Sequence, residues 1–172
     1  FREGIPEDYM SFCANCNYIE YDENDPMIQK VLQDIIRNIH PDDEMFEYFL
    51  TILASGLPGH KILQVMYIFQ GKGCNGKSIM IDFINKTYGD YVANPAITLL
   101  TRKRNSSANA SPDIYGLKGV RFLIIQEPEK DDEIHTSMMK QMFGHDYIEA
   151  RQLYSGDYIK FKLQALGILI CN

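Results

Sequence analysis

Residues 71–78 read Gly-Lys-Gly-Cys-Asn-Gly-Lys-Ser. Two glycines five positions apart, followed at once by lysine and a hydroxyl residue, form the pattern of a loop whose backbone N–H groups curl around phosphate oxygens. Each residue type has a task. Gly71, Gly73 and Gly76 let the chain turn tightly and come close to a ligand. Cys74, Asn75 and Ile79 place further backbone N–H groups around the same centre. Lys77 brings a mobile positive charge to the outer phosphates, and Ser78 offers a hydroxyl to Mg²⁺. The expected ligand of this stretch is a nucleoside triphosphate such as ATP.

Hydrolysis would require more. An acid must stand opposite the loop to hold the Mg²⁺ shell and to orient the attacking water. In α/β sheets, ligands gather at the carboxyl ends of the strands. "VRFLIIQEPE" supplies Glu127 and Glu129 directly after the apolar run Val120–Ile125. Glu127 is the first choice for the metal side and Glu129 for the base, with Pro128 between them. An acidic loop after a strand is also common without any such role. The stretch "LGILICN" ends on Asn172. An amide at the tip of a core strand can touch a γ-phosphate or its attacking water, or simply cap a turn, and spacing alone leaves both readings open.

The elements that must position these residues are visible around them. "ILQVMYIFQ", residues 62–70, is a nearly unbroken apolar run and predicts a strand buried on both faces. "SIMIDFINKTYG" predicts a helix that stops at Gly89, so the loop sits between a strand and a helix N-terminus. Upstream, Ile28, Val31, Leu32, Ile35, Ile36 and Ile39 share one helical stripe. A second helix starts at Pro41 with Asp42, Asp43 and Glu44 and ends near Gly56. Residues 91–100 are expected to hold a second strand, 101–113 a polar loop, and "DIYGLKG" a short helix and turn. "TSMMKQMFG" ends a helix at Gly144. Two β-type runs around Ser155-Gly156-Asp157 predict a hairpin. Strands alternating with helices predict an α/β fold with a parallel sheet, divided into an N-terminal helical segment, 1–57, and a nucleotide-binding core, 58–172.

Composition narrows the class. The 172 residues are 45% hydrophobic, enough for one globular core. No apolar run approaches the roughly 20 residues of a membrane helix. Net charge is −6, which argues against general attraction to nucleic acid but allows local basic strips. "TRKR" at 101–104 is one such strip, and Arg151, Lys160 and Lys162 are another. Four cysteines are present; Cys13 and Cys16 are half of a zinc pattern without a second half, so reduced thiols are the expected state.

Taken in order, "GKGCNGKS", "RFLIIQEPE", "MMKQMFGHDYIEARQLY" and "LGILICN" resemble the motor of the superfamily 3 helicases. Within it the chain is most similar to the primase–helicases of large DNA viruses, the poxvirus and mimivirus type, and of some phages. Their pattern after the acidic motif corresponds to Lys140, Gly144, Asp146, Ala150, Arg151 and Tyr154 here. The resemblance runs over about residues 40–172. It implies an AAA+-like P-loop core in a ring, usually a hexamer, with ATP between subunits and single-stranded DNA in the central channel. It implies Lys77 and Ser78 as phosphate and Mg²⁺ residues, Glu127 as the metal acid, and Asn172 as a γ-phosphate sensor. The hairpin over 153–162 would grip DNA through Arg151, Lys160 or Lys162, since its tip "SGD" lacks the basic residue that other branches carry. A primase domain in the same polypeptide and a place of work in the host-cell cytoplasm are further implications. The competing readings are a P-loop phosphotransferase or nucleotide switch that does not touch DNA, and an oligomerisation module with a vestigial loop.

The resemblance generates one expectation about rate. In such rings a neighbouring subunit supplies an arginine to the γ-phosphate, worth roughly 10³- to 10⁵-fold, and the family carries it beyond the strand that ends here at Asn172. Residues 1–172 alone should therefore hydrolyse ATP very slowly. Comparing their turnover with that of a chain extended past Asn172, at matched concentration, checks this; equal rates would remove the ring-based expectation.

Overall fold

The computed structural model of this 172-residue chain describes residues 2, 4–60, 63–101, 111–126, 128, 133–151 and 158–171. Four parallel strands form the central sheet: β1 (Met66–Gln70), β2 (Val92–Ala93), β3 (Phe122–Gln126) and β6 (Leu166–Cys171), in the order β1-β6-β3-β2. A separate antiparallel pair, β4 (Tyr147–Arg151) and β5 (Tyr158–Lys162), forms the expected hairpin. Its tip lies outside the described residues.

Each face of the sheet has its own core. Phe122 and Ile124 of β3, with Leu166, Ile168 and Ile170 of β6, face α2 (Asp43–Ala54) and α3 (Lys77–Tyr88). Leu123 and Ile125 of β3, with Leu169 of β6, face α6 (Thr136–Phe143), the hairpin and the short helices α4 (Thr98–Thr101) and α5 (Pro112–Tyr115). This is the period-two alternation of a strand covered on both sides. The crossover from β1 through α3 to β2 lies on one face. The crossovers travelling the other way, β2 to β3 and β3 to β6, lie on the opposite face, as a single crossover hand requires.

The N-terminal stripe is helical but not uniform. A short α1 (Pro26–Lys30), capped by Asp25 accepting from Met27 N–H at 2.7 Å, passes into a π-helical stretch over Val31–Arg37. Ile36 is fully buried against the α2–α3 core, with Val31, Leu32 and Ile39 partly buried around it. Asp42 caps α2 through Met45 N–H at 3.0 Å. The Tyr88 hydroxyl at the end of α3 donates to Leu53 C=O at the end of α2. Burial pushes that phenol up to about 12, so its contribution holds below the ordinary phenol value of about 10 and is lost as pH rises through 12.

Two strand expectations change. β1 is not buried on both faces: it pairs only with β6 among the described residues, and Ile68 is 59% exposed. An edge strand has one uncovered flank, which the apolar sequence could not reveal. β2 shrinks to two residues, because Asn94 and Pro95 follow it and the chain then turns into α4.

The first residues form a strap over the end of α3 and the start of β2. Phe12 stands edge-on to Tyr91 at 5.5 Å, and the Tyr91 hydroxyl donates to Phe12 C=O at 3.1 Å. The Asp90 carboxylate accepts from Cys13 N–H at 3.0 Å and Asn15 Nδ2 at 3.4 Å. Cys13 and Cys16 are both exposed free thiols, and Cys16 Sγ donates weakly to Thr87 C=O at 3.7 Å.

Gly167, the second residue of β6, is closely covered by α6. A Cβ there would lie 2.2 Å from the Phe143 ring of α6. Gly167→Ala should destabilise the chain by about 1–3 kcal/mol through overpacking, read as a lower urea midpoint with an unchanged slope.

Candidate functional site

β1 ends at Gln70 and α3 begins at Lys77, with the glycine loop between them. Cys74 has φ 58° and Gly76, the residue before the helix, has φ 86°. Two left-handed residues within three positions bend the loop into a concavity lined by N–H groups. Gly76 is required twice over, because a Cβ would also sit 2.6 Å from Ile39 Cδ1. Gly71 is tight as well, with Asn75 Nδ2 2.0 Å from the position of its missing Cβ, whereas Gly73 faces open space. Lys77 folds back on the loop: its Nζ donates to Gly71 C=O and, at 3.3 Å, to Lys72 C=O. Among the described residues the Lys77 ammonium is bonded to neutral carbonyls, weaker partners than an anion would be.

A cavity of about 390 Å³ opens on this loop. Its floor is Gly73 to Ser78; its far wall is Gln126 of β3 and Ile170 and Cys171 of β6. The register explains the meeting, since Gln70 lies opposite Cys171 and Ile170 opposite Gln126. Strand ends, loop and helix start thus converge at one rim. A more apolar cavity of about 530 Å³ adjoins at Asn75 and Lys77, between Tyr48 and Phe49 of α2 and the outer edge of β1. His40 lies tilted against Phe49 there, ring centres 4.9 Å apart, and desolvation lowers its pKa. Nothing in the sequence pattern singled out this second cavity.

Of the expected site residues, Gly71, Gly73, Cys74, Asn75, Gly76, Lys77, Ser78 and Ile79 come together at the rim. Glu127, Glu129 and Asn172 lie outside the described residues, as do Arg102, Lys103 and Arg104. No group of three or more His, Cys, Asp or Glu among the described residues could cage a metal. Ser78 in the first turn of α3 suits a cation that keeps waters and phosphate oxygens as its main ligands, the habit of Mg²⁺.

The hairpin brings together the other expected set. Tyr147 lies opposite Lys162, Glu149 opposite Lys160, and Arg151 opposite Tyr158. These six residues share one face, while Ile148, Ala150, Ile159 and Phe161 turn toward the core. Lys160 Nζ stands 5.2 Å and Lys162 Nζ 4.9 Å from the Tyr147 ring centre, and the Arg151 guanidinium 5.9 Å from that of Tyr158. Glu149 reaches Lys160 at 3.5 Å. Counting cations found Arg151, Lys160 and Lys162; the interleaved tyrosines were missed. Strand alternation around "YIEAR" and "YIKFK" could have placed them on the same face.

Fold and loop together define a parallel α/β unit with a glycine-rich loop that opens on a cavity at the carboxyl rim of its sheet. The chain is 41% identical over all 172 residues to a protein of Acanthamoeba polyphaga mimivirus named "Putative helicase". It is 29% identical over 169 residues to a frog virus 3 protein of the same name, and 27% identical over 157 residues to a "Putative primase" of African swine fever virus. It spans 18%, 17% and 16% of those relatives' lengths. No family model matches. The apo structure of the NrS-1 C-terminal region shares the fold, with a TM-score of 0.62 at 14% identity over 83% of this chain and 33% of that one. The chain is thus similar in sequence to a segment of proteins named helicase or primase in large DNA viruses.

The loop's double constraint can be tested directly. Gly76→Ala must hold a left-handed alanine and displace Ile39, so it should cost about 1–3 kcal/mol in stability. It should also weaken binding of a fluorescent ATP analogue more than Gly73→Ala, whose added methyl meets only open space, as measured by titration of both variants.

Proposed function

We propose that the chain is part of the ATP-hydrolysing motor of a viral replication helicase. In this reading ATP binds with Mg²⁺ between subunits of a ring, and its hydrolysis moves the ring along single-stranded DNA. One observation carries it: the Gly71–Ser78 loop opens on a cavity whose opposite wall is the carboxyl ends of β3 and β6. That is where an acid and a sensor following those strands would meet the γ-phosphate.

The residues have separable tasks. Backbone N–H groups of the loop hold the β- and γ-phosphates. Lys77 leaves Gly71 C=O and spans the phosphate oxygens. Mg²⁺, when bound through Ser78 and the nucleotide, neutralises charge on the phosphates. Glu127 is assigned to the metal shell, Glu129 to the attacking water and Asn172 to sensing the γ-phosphate. Arg151, Lys160 and Lys162 are assigned to the phosphates of DNA. Kinship with helicases and a primase supports a replication role and a primase domain in the same polypeptide; a host-cell cytoplasmic site of work belongs to the same reading. No described helix is long and apolar enough to cross a membrane.

Lys77→Ala tests the reading. The side chain reaches only loop carbonyls, so stability should change by less than about 0.5 kcal/mol. DNA-stimulated ATP turnover by the assembled protein should fall to background. Undiminished turnover would overturn the motor assignment; nucleotide binding without any DNA stimulation in the unmutated protein would instead favour a nucleotide switch.

A further inference from the structure

The outward face of the β4–β5 hairpin holds more than positive charge. Tyr147 and Tyr158 are 56% and 55% exposed, although each sits in a strand whose inward neighbours are buried. They occupy opposite corners of the face, Tyr147 across from Lys162 and Tyr158 across from Arg151. Four residues of β4 separate the two corners, about 14 Å along the strand. The charged residues beside them are Arg151, Lys160 and Lys162 against a single carboxylate, Glu149, so this face is positive in a chain of net charge −6. Among the described residues, Arg151 Nε is buried without an acceptor.

We propose that this face is a stacking platform for single-stranded DNA, with Tyr147 and Tyr158 each taking the flat side of a base and Arg151, Lys160 and Lys162 taking the phosphates between them. The proposal rests on the motor reading above and adds base contacts to it. Aromatic rings interleaved with cations are the combination that binds single strands without reading sequence, because every base has a π-face. A duplex hides those faces inside its stack, so the platform selects unpaired strands. The separation of the rings is about four times the 3.4 Å rise of a stacked strand, so the two bases are not neighbours in one stack. At present the lysine ammonium groups rest near the Tyr147 ring, a cation–π contact that holds ring and cations on the same side of the sheet. An arriving strand exchanges these contacts for base on ring and phosphate on ammonium. Glu149, in the middle of the face, opposes this: it repels phosphate and holds Lys160 at 3.5 Å.

The test separates stacking from charge. Binding of labelled oligothymidylate and of an abasic strand of equal length is measured by fluorescence anisotropy, alongside ATP turnover. Tyr147→Ala and Tyr158→Ala should each weaken oligothymidylate about 5- to 150-fold and leave the abasic strand within about twofold. Tyr147→Phe and Tyr158→Phe should bind like the unmutated protein, with unchanged urea midpoints. Lys160→Ala should weaken both strands and lower the salt slope by about 0.7. Glu149→Gln should strengthen both. Tyrosine variants that affect both strands equally, or neither, would overturn the platform while DNA-stimulated turnover leaves the motor standing. If the unmutated protein binds neither strand and shows no such turnover, the motor reading fails and the platform with it.

Discussion

β3 and β6 lie side by side with almost no exposure on either face. Water cannot reach their backbone N–H and C=O groups, so each must be paired with a neighbouring strand. Parallel pairing meets that need and brings a geometric consequence. All the strands then end at one rim, and every return path must run over a face of the sheet. The helices on both faces, the long crossovers and the convergence of Gln126, Cys171 and the glycine loop follow from this single constraint. The cavity at the loop is the unfilled rim of a sheet whose middle is fully packed.

Two glycines hold that rim in place by opposite means. Gly76 lets the chain enter α3 through a left-handed residue pressed against Ile39, and so couples the loop to the N-terminal helical stretch. Gly167 lets the Phe143 ring rest on the sheet, and so fixes α6 and the hairpin that follows it. One face therefore governs the shape of the glycine loop, while the other governs where the exposed tyrosines and lysines stand. β6 is shared by both, and its alternation divides the two cores cleanly.

Much of this was readable from the chain. The loop is a local motif, and its flanking strand and helix carry their own periodicity, so α3, β3, β6, α6 and the hairpin fell where the pattern placed them. The exposure of Ile68 was not readable, because being at an edge is a property of strand order and the residues of β1 are as apolar as those of β3. The π-helical turn escaped because the stripe from Ile28 to Ile39 fits a slightly wider helix equally well. The pairing of Tyr147 and Tyr158 with the basic residues escaped for a different reason: a census of charge does not see aromatic rings. Where the sequence left two readings of Asn172, the residue lies outside what is described, as do Glu127 and Glu129.

The strap at the N-terminus gives the fold a mechanical axis. Cys13 and Asn15 are bonded to Asp90 just past the end of α3, and a Cβ on Gly89 would collide with Ala14 C=O, so the contact is close as well as hydrogen-bonded. Helix α3 runs 12 residues, about 18 Å, from that anchorage to the glycine loop. A helix is stiff along its length. The strap and the glycine loop are thus the two ends of one rod, and the twelve residues that join them also cover the core.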